Sequence, residues 1–231
     1  MITQRKIGWA VGVAFAMAAS TASAGAQDSG FYFGLNAGQA TADVAIEDGD
    51  DIMFFIIEEG AGGTVVDGES TLEDSDTTWS LVAGYKFNPY IAVEAGYVDL
   101  GTAEYRANAD VFFPGLGTIP LEGAIDIGAT GFTVAALASI PLGESFDLHG
   151  RIGVLFSETE LEISIFDDFD SVSESESYSD NEMFFGVGAS WYLGANWALS
   201  LDYLLYKDVG TEDETGETDI DSFTLGVTYR F

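Results

Sequence analysis

Apolar and polar residues alternate with a period of two along most of the chain beyond residue 30. In 79–87, WSLVAGYKF, Trp79, Leu81, Ala83, Tyr85 and Phe87 share one side, opposite Ser80, Val82, Gly84 and Lys86. The same zigzag runs through 183–193 (MFFGVGASWYL), 197–205 (WALSLDYLL) and 223–231 (FTLGVTYRF). Successive side chains of a strand point to opposite faces, so each run predicts a strand with one greasy face. The runs are about nine to eleven residues long, the length of a tilted strand that crosses a bilayer. Taken with the residues that extend them, eight strand segments are found, at about 30–40, 77–87, 90–104, 122–141, 145–160, 180–193, 197–208 and 219–231. No later segment is long and apolar enough to predict a spanning helix.

The connections alternate in kind. Asn88-Pro89, Leu142-Gly143-Glu144 and Gly194-Ala195-Asn196 predict tight turns. The other four, roughly 41–76, 105–121, 161–179 and 209–218, are long or strongly polar and are expected to be loops. An even strand number, with short turns at one end and long loops at the other, predicts an all-β fold: an eight-stranded antiparallel up-and-down transmembrane β-barrel.

Composition sharpens this picture. Seven Lys+Arg stand against 39 Asp+Glu in 231 residues, a formal net charge of −32. Such acidity excludes nucleic acid as a partner, because phosphate contacts need a basic face. The acid is concentrated in the expected loops: 12 carboxylates from Asp43 to Asp76, 10 from Glu158 to Glu182 and 7 from Asp208 to Asp221. The absence of cysteine excludes a disulfide framework, thiol catalysis and Cys-ligated metals. At the N-terminus, Arg5 and Lys6 precede an apolar stretch from Ile7 to Ala19 and the small residues Ala22-Ser23-Ala24. That order predicts a secretory signal peptide over residues 1–24, with an alternative cut after Ala26, and a barrel over 27–231.

Alternation also assigns the charges within the strands to a side. In 90–100, Ile91, Val93, Ala95 and Tyr97 oppose Glu94; in 146–156, Phe146, Leu148, Ile152, Val154 and Phe156 oppose Asp147, His149 and Arg151. A charge facing lipid at mid-depth costs about 2–4 kcal/mol for a basic group and somewhat less for an acid. Glu94 and Arg151 are therefore expected to point into the lumen. Counted from the tight turns, Glu94, Asp202 and Arg151 fall in a similar layer, which predicts a lumenal charge cluster with Arg151 between two carboxylates. Lys86 and Arg230 lie lower and extend it. Inward glycines (Gly34, Gly84, Gly96, Gly153, Gly186, Gly188 and Gly226) leave room for long polar side chains in a lumen that eight strands make just wide enough to fill.

GYKFNPYIAVEAGYVDLG (84–101), IPLGESFDLHGRIG (140–153) and FTLGVTYRF (223–231) resemble the OmpA-like outer-membrane β-barrel family. The resemblance implies an integral protein of the Gram-negative outer membrane, in contact with lipid and lipopolysaccharide. It also implies that Phe223, Leu225, Val227, Tyr229 and Phe231 form the signal read by the barrel-assembly machinery. Many relatives carry a peptidoglycan-binding domain after the barrel, and its absence here removes that anchoring role from the expectation.

Candidate chemistry is sparse. His149 is the one histidine, and its inward position near the turn end favours a structural polar residue over a lipid-hydrolysing site. The acidic stretches EDGDD (47–51) and DDFDSVSESES (167–177) lack the Ca²⁺-loop pattern, which leaves a solvated fringe with weak collective binding of divalent cations. No catalytic, cofactor-binding or metal-ligating residues are expected. IMFFII (52–57) is expected to extend a strand or hairpin above the membrane, with an exposed contact patch as the alternative. PGLG (114–117) predicts a turn, and Trp79, Trp191 and Trp197 belong to interfacial aromatic belts. The functional expectation is a non-enzymatic envelope protein with a structural or surface-interaction role and a polar, plugged lumen. Two alternatives stand beside it: a narrow porin-like channel for small solutes or cations, and a soluble lipocalin-like binder with its apolar face inward.

Overall fold

The computed structural model describes residues 29–57, 62–166, 171–211 and 216–231. The expected signal peptide and its cleavage site lie outside them. Eight strands close into an antiparallel ring: β1 (Gly30–Ala42), β3 (Ser75–Asn88), β4 (Ile91–Phe113), β5 (Gly117–Pro141), β6 (Phe146–Phe166), β7 (Ser171–Tyr192), β8 (Trp197–Thr211) and β9 (Gly216–Arg230). Closure is made by β1 against β9, in a register that runs from Tyr32↔Arg230 to Ala42↔Ile220. Full closure leaves no strand edge in the hydrocarbon layer, where an unpaired peptide group costs several kcal/mol.

Three tight turns join strands at the lower end. At the first, Asn88 Oδ1 accepts the backbone N–H of Tyr90 at 2.8 Å and of Ile91 at 3.0 Å, closing an Asx turn on Pro89. The other two pass through Gly143 and Gly194, whose φ angles of 86° and 113° favour glycine.

The ring turns its apolar side outward. Val93 is 42% and Ile152 49% exposed, while their chain neighbours face inward, Glu94 at 7% and the Arg151 side chain at 11%. Two aromatic girdles bound the outward band. The upper contains Trp79, Tyr97, Phe132, Phe156 and Phe223, with Trp79–Tyr97 and Tyr97–Phe132 ring centroids 5.8 and 5.3 Å apart. The lower contains Phe31, Tyr85, Phe146, Trp191, Trp197 and Tyr229, linked by pairs such as Phe146–Trp191 at 5.9 Å and Trp197–Tyr229 at 4.9 Å. From Phe146 to Phe156 a strand tilted by about 40° climbs about 25 Å, the height of an outer-membrane apolar band. The apolar side out and the polar side in is the reverse of a lipocalin-like soluble barrel.

Above the upper girdle the structure departs from the expected loops. Beyond it β6 and β7 continue for about ten residues and β4 and β5 for about fifteen, and an additional strand, β2 (Thr64–Glu73), pairs with the top of β4 from Thr64↔Phe112 to Glu73↔Glu104. Segments 105–121, 161–166, 171–179, 209–211 and 216–218 are thus strand rather than loop, apart from the turn at 114–116, where Leu116 N–H donates to Phe113 O at 3.1 Å. In β6 Glu160 and Glu162 alternate with the inward Leu161 and Ile163, whereas from Ser173 to Ser177 of β7 both faces are polar and exposed. On the outer face of β6 and β7, the Ser175 hydroxyl donates to Glu160 at 3.1 Å and the Ser173 hydroxyl to Glu162 at 3.0 Å.

The segment containing IMFFII is helical, not a strand extension. Helix α1 spans Ile46–Phe55, and its Ile46, Gly49, Asp50 and Met53, continued by Ile57, recur every three or four residues on one side. Met53 and Ile57 are buried with Tyr105, Val111 and Ile125 in a second core, inside the wall and above the membrane. Gly123 faces Met53 so closely that a Cβ there would collide with its side chain.

Candidate functional site: a stratified lumen

The interior of the ring is layered along its axis. The lowest layer is polar. Arg151 Nε lies 3.0 Å from Glu94 Oε2, and its Nη1 lies 3.5 Å from Asp202 Oδ1. Glu94 also accepts the Tyr32 hydroxyl at 2.8 Å. His149 stands between two carboxylates, with Nε2 2.7 Å from Asp202 and Nδ1 3.4 Å from Asp147. Lys86 approaches Asp147 at 3.7 Å and donates to the Tyr192 hydroxyl at 3.3 Å. Arg230 stacks over the Tyr192 ring at 4.8 Å, and the Tyr192 hydroxyl donates to Asp147.

The five residues singled out in the sequence thus fall into two groups. Glu94, Arg151 and Asp202 form one ion-paired set. Lys86 and Arg230 meet instead around Tyr192 and Asp147. Tyr32 and Tyr192, which link these groups to the wall, carried no sequence expectation. Both stand in unbroken aromatic runs, FYF and WY, where alternation does not mark a side. Glycine makes the space: a Cβ at Gly84 would collide with the Tyr32 ring, and one at Gly188 with Asp202 and His149. The layer encloses a small cavity of about 70 Å³.

Immediately above Arg151 the lumen becomes mainly apolar, apart from the buried Glu182, which pairs across the sheet with Leu155 and accepts the Ser157 hydroxyl at 2.6 Å. Val98, Leu155, Phe184, Leu204 and Tyr206 are buried together, with Leu155 at 0% exposure. The Phe184 and Tyr206 rings stack at 5.2 Å, and Phe184 occupies the space that Gly153 leaves open. Not every inward glycine therefore makes room for a polar group; Gly153 and Gly186 accommodate Phe184 and Leu204. Higher still is a second cavity of about 500 Å³, lined mainly by aliphatic residues and roofed by Gly49 and Ile52 of α1. The two cavities share no lining residue, and none of the five apolar side chains lines either one.

Outside the membrane band, Tyr105 ties the roof to the wall: its hydroxyl donates to Asp50 of α1 at 2.5 Å. Burial, reinforced by that carboxylate, pushes the phenol up to about 12. On the opposite rim Lys207 and Asp219 form an ion pair that holds the Asp219 carboxyl below its ordinary range. Among the described residues, no group of three or more His, Asp or Glu side chains is arranged to hold a metal ion.

The stripe Phe223, Leu225 and Val227 is exposed on the outer surface of β9. Tyr229 and Phe231 continue it, their rings 5.1 Å apart, and Phe231 reaches the Phe33 ring at 5.9 Å.

The sequence matches the OmpA-like transmembrane domain over residues 26–231. The chain belongs to this family. Among solved structures, this OmpA-like barrel is similar to Neisserial surface protein A, with a TM-score of 0.52 at 13% identity over 88% of this chain and 99% of that one. OprG of Pseudomonas aeruginosa gives a TM-score of 0.45 at 16% identity over 89% and 98% of the two chains. Ail of Yersinia pestis gives 0.44 at 15% identity over 89% and 99%. At these identities the likeness to the Neisserial protein speaks for the fold alone. No curated protein sequence matches this OmpA-like chain.

Proposed function

We propose that this OmpA-like barrel is a non-enzymatic integral protein of the Gram-negative outer membrane, whose lumen is closed to solutes and whose extramembrane wall mediates surface interactions. The closed lumen rests on one observation: the buried set of Val98, Leu155, Phe184, Leu204 and Tyr206 lies between two cavities that have no lining residue in common. A hydrated ion meeting that layer must shed water against a mainly aliphatic and aromatic surface, where the Tyr206 hydroxyl and the Glu182 carboxyl replace only part of its hydration. A non-enzymatic role is supported by His149, held between Asp147 and Asp202 beside a cavity of only about 70 Å³ at the lower end. The outward stripe from Phe223 to Phe231 is the segment that assembly machinery would read. The lipid-facing band would contact lipid and lipopolysaccharide, and the acidic wall would gather divalent cations weakly and collectively.

Planar-bilayer recording of the purified barrel tests the closed lumen. No stable unit conductance is expected from the wild type. Leu155→Gly combined with Phe184→Gly should open the apolar layer and introduce discrete steps. Stable steps in the wild type, suppressed when Leu155 is enlarged to Trp, would replace this reading with the narrow channel.

A further inference from the structure

We propose that the upper cavity is a binding site for a small amphipathic organic cation, with an aromatic or aliphatic body and an ammonium head. The cavity holds about 500 Å³, within the range of small-molecule sites. Its bed is aliphatic: Ala40, Leu100, Ile125, Ile127, Val209 and Ile220 are among the lining groups. Burying a ligand's apolar body there gains roughly 25 cal/mol per Å² removed from water.

Charge selects the head group. Asp43, Asp74, Asp76 and Glu217 line the same cavity and are exposed, while no Lys, Arg or His is among its lining residues. These carboxylates come from three separate parts of the chain that the ring closure brings together. Asp76 is held in place by accepting the Thr102 N–H at 3.1 Å. An anion entering here meets a field of one sign, reinforced by the net charge of −32, whereas a cation is drawn in.

A third feature lies on the far wall. Thr159 lines the cavity at 3% exposure, and its hydroxyl has no hydrogen-bond partner among the described residues. An unpaired buried hydroxyl is costly, because it has given up its water without gaining a partner. A ligand with its own donor or acceptor at the distal end would satisfy it, after a rotation of the Thr159 side chain between staggered wells. β6, which carries Thr159, is four strands from β1 in either direction round the ring, so the hydroxyl stands across the lumen from Asp43. An ammonium at one end, an apolar body and a hydroxyl at the other is the complementary pattern.

The test uses the full barrel in nanodiscs and three probes of one shape, with binding followed by calorimetry. Tyramine carries the cation and the distal hydroxyl, phenethylamine lacks the hydroxyl, and 3-(4-hydroxyphenyl)propionate carries the opposite charge. Tyramine should bind tightest and the propionate should not bind. Thr159→Val should lower tyramine affinity by about fivefold, to the level of phenethylamine, and leave phenethylamine unchanged. Asp43→Asn with Glu217→Gln, both at exposed positions, should weaken both amines by up to about fivefold. Ala103→Phe, which fills the cavity, should abolish binding. Should that variant fail to give the heat-modifiable migration of a folded barrel, the rim pair and Thr159→Val still decide. Equal binding of the anion and the cation, or tyramine binding indifferent to Thr159→Val and to the rim pair, overturns the proposal. The readout is equilibrium binding, so conduction through the barrel would sink the closed lumen without touching this site.

Discussion

Arg151 shows how a buried charge is tolerated inside a membrane protein. Its guanidinium has Glu94 at 3.0 Å and Asp202 at 3.5 Å, and Glu94 is further bound by Tyr32. Taking charges out of water costs several kcal/mol each, so the set persists only because its members face one another. Removing the central cation should therefore hurt more than removing the whole set. Arg151→Met is expected to destabilise the barrel by about 3–5 kcal/mol, because two carboxylates lose their shared partner. Adding Glu94→Gln to Arg151→Met should recover part of that loss. Urea unfolding in lipid vesicles, arranged as a double-mutant cycle, measures the coupling. Additive effects would mean that the two residues act independently. Which side these residues occupy was legible in the sequence, because a single charged residue in an alternating run cannot share a face with Val93 or Ile152. How they pair was less so. Asp147 and His149 were visible as inward-pointing groups, yet only the closed ring shows that Asp147 draws Lys86 while His149 takes Asp202.

Elements above the membrane were harder to read than elements within it. In the bilayer each strand must alternate, since one face meets acyl chains and the other does not. Above it that constraint relaxes, and Glu-Ser strands resemble loops by composition while pairing as regularly as any other. α1 departs from the expected strand for a related reason: IMFFII is rich in strand-favouring residues, and a short apolar run does not by itself distinguish strand from helix. The spacing of Ile46, Asp50, Met53 and Ile57 was the available signal. Docking of α1 depends on Tyr105, whose hydroxyl reaches Asp50 at 2.5 Å. Its phenol is raised from 10.0 to about 12, first by burial and then by that carboxylate. The sign follows from linkage: a group whose folded pKa is raised contributes stability that is full below pH 10.0 and fades as pH climbs towards about 12. Proteolysis within α1 should accelerate over that window. At neutral pH, Tyr105→Phe should speed cleavage by about three- to tenfold and abolish the alkaline dependence. An unchanged alkaline profile in the variant would assign the effect to another group.

On the scale of the whole molecule, the decisive quantity is where the bilayer sits along the ring. The two aromatic girdles define a slab, and the lipid face of β5 crosses it from Phe132 at the top to Ile140 at the bottom, with Ala136 at the centre. A cation facing the hydrocarbon midplane costs about 2–4 kcal/mol, and near the interface about 0–1 kcal/mol. Ala136→Arg is thus expected to destabilise the barrel by about 2–4 kcal/mol, Ile140→Arg by about 0–1 kcal/mol, and Ser179→Arg, above the slab, by little. Equilibrium unfolding of the three variants in the same vesicles traces the depth profile. A cost that peaks at Ser179, or no peak at all, would remove the bilayer from the band that the girdles bound. The same profile explains the distribution of acid in this OmpA-like chain. Where a strand faces lipid, a carboxylate costs energy and is absent. Above Trp79 and Phe156 that cost disappears, and the strands become acidic without ceasing to be strands.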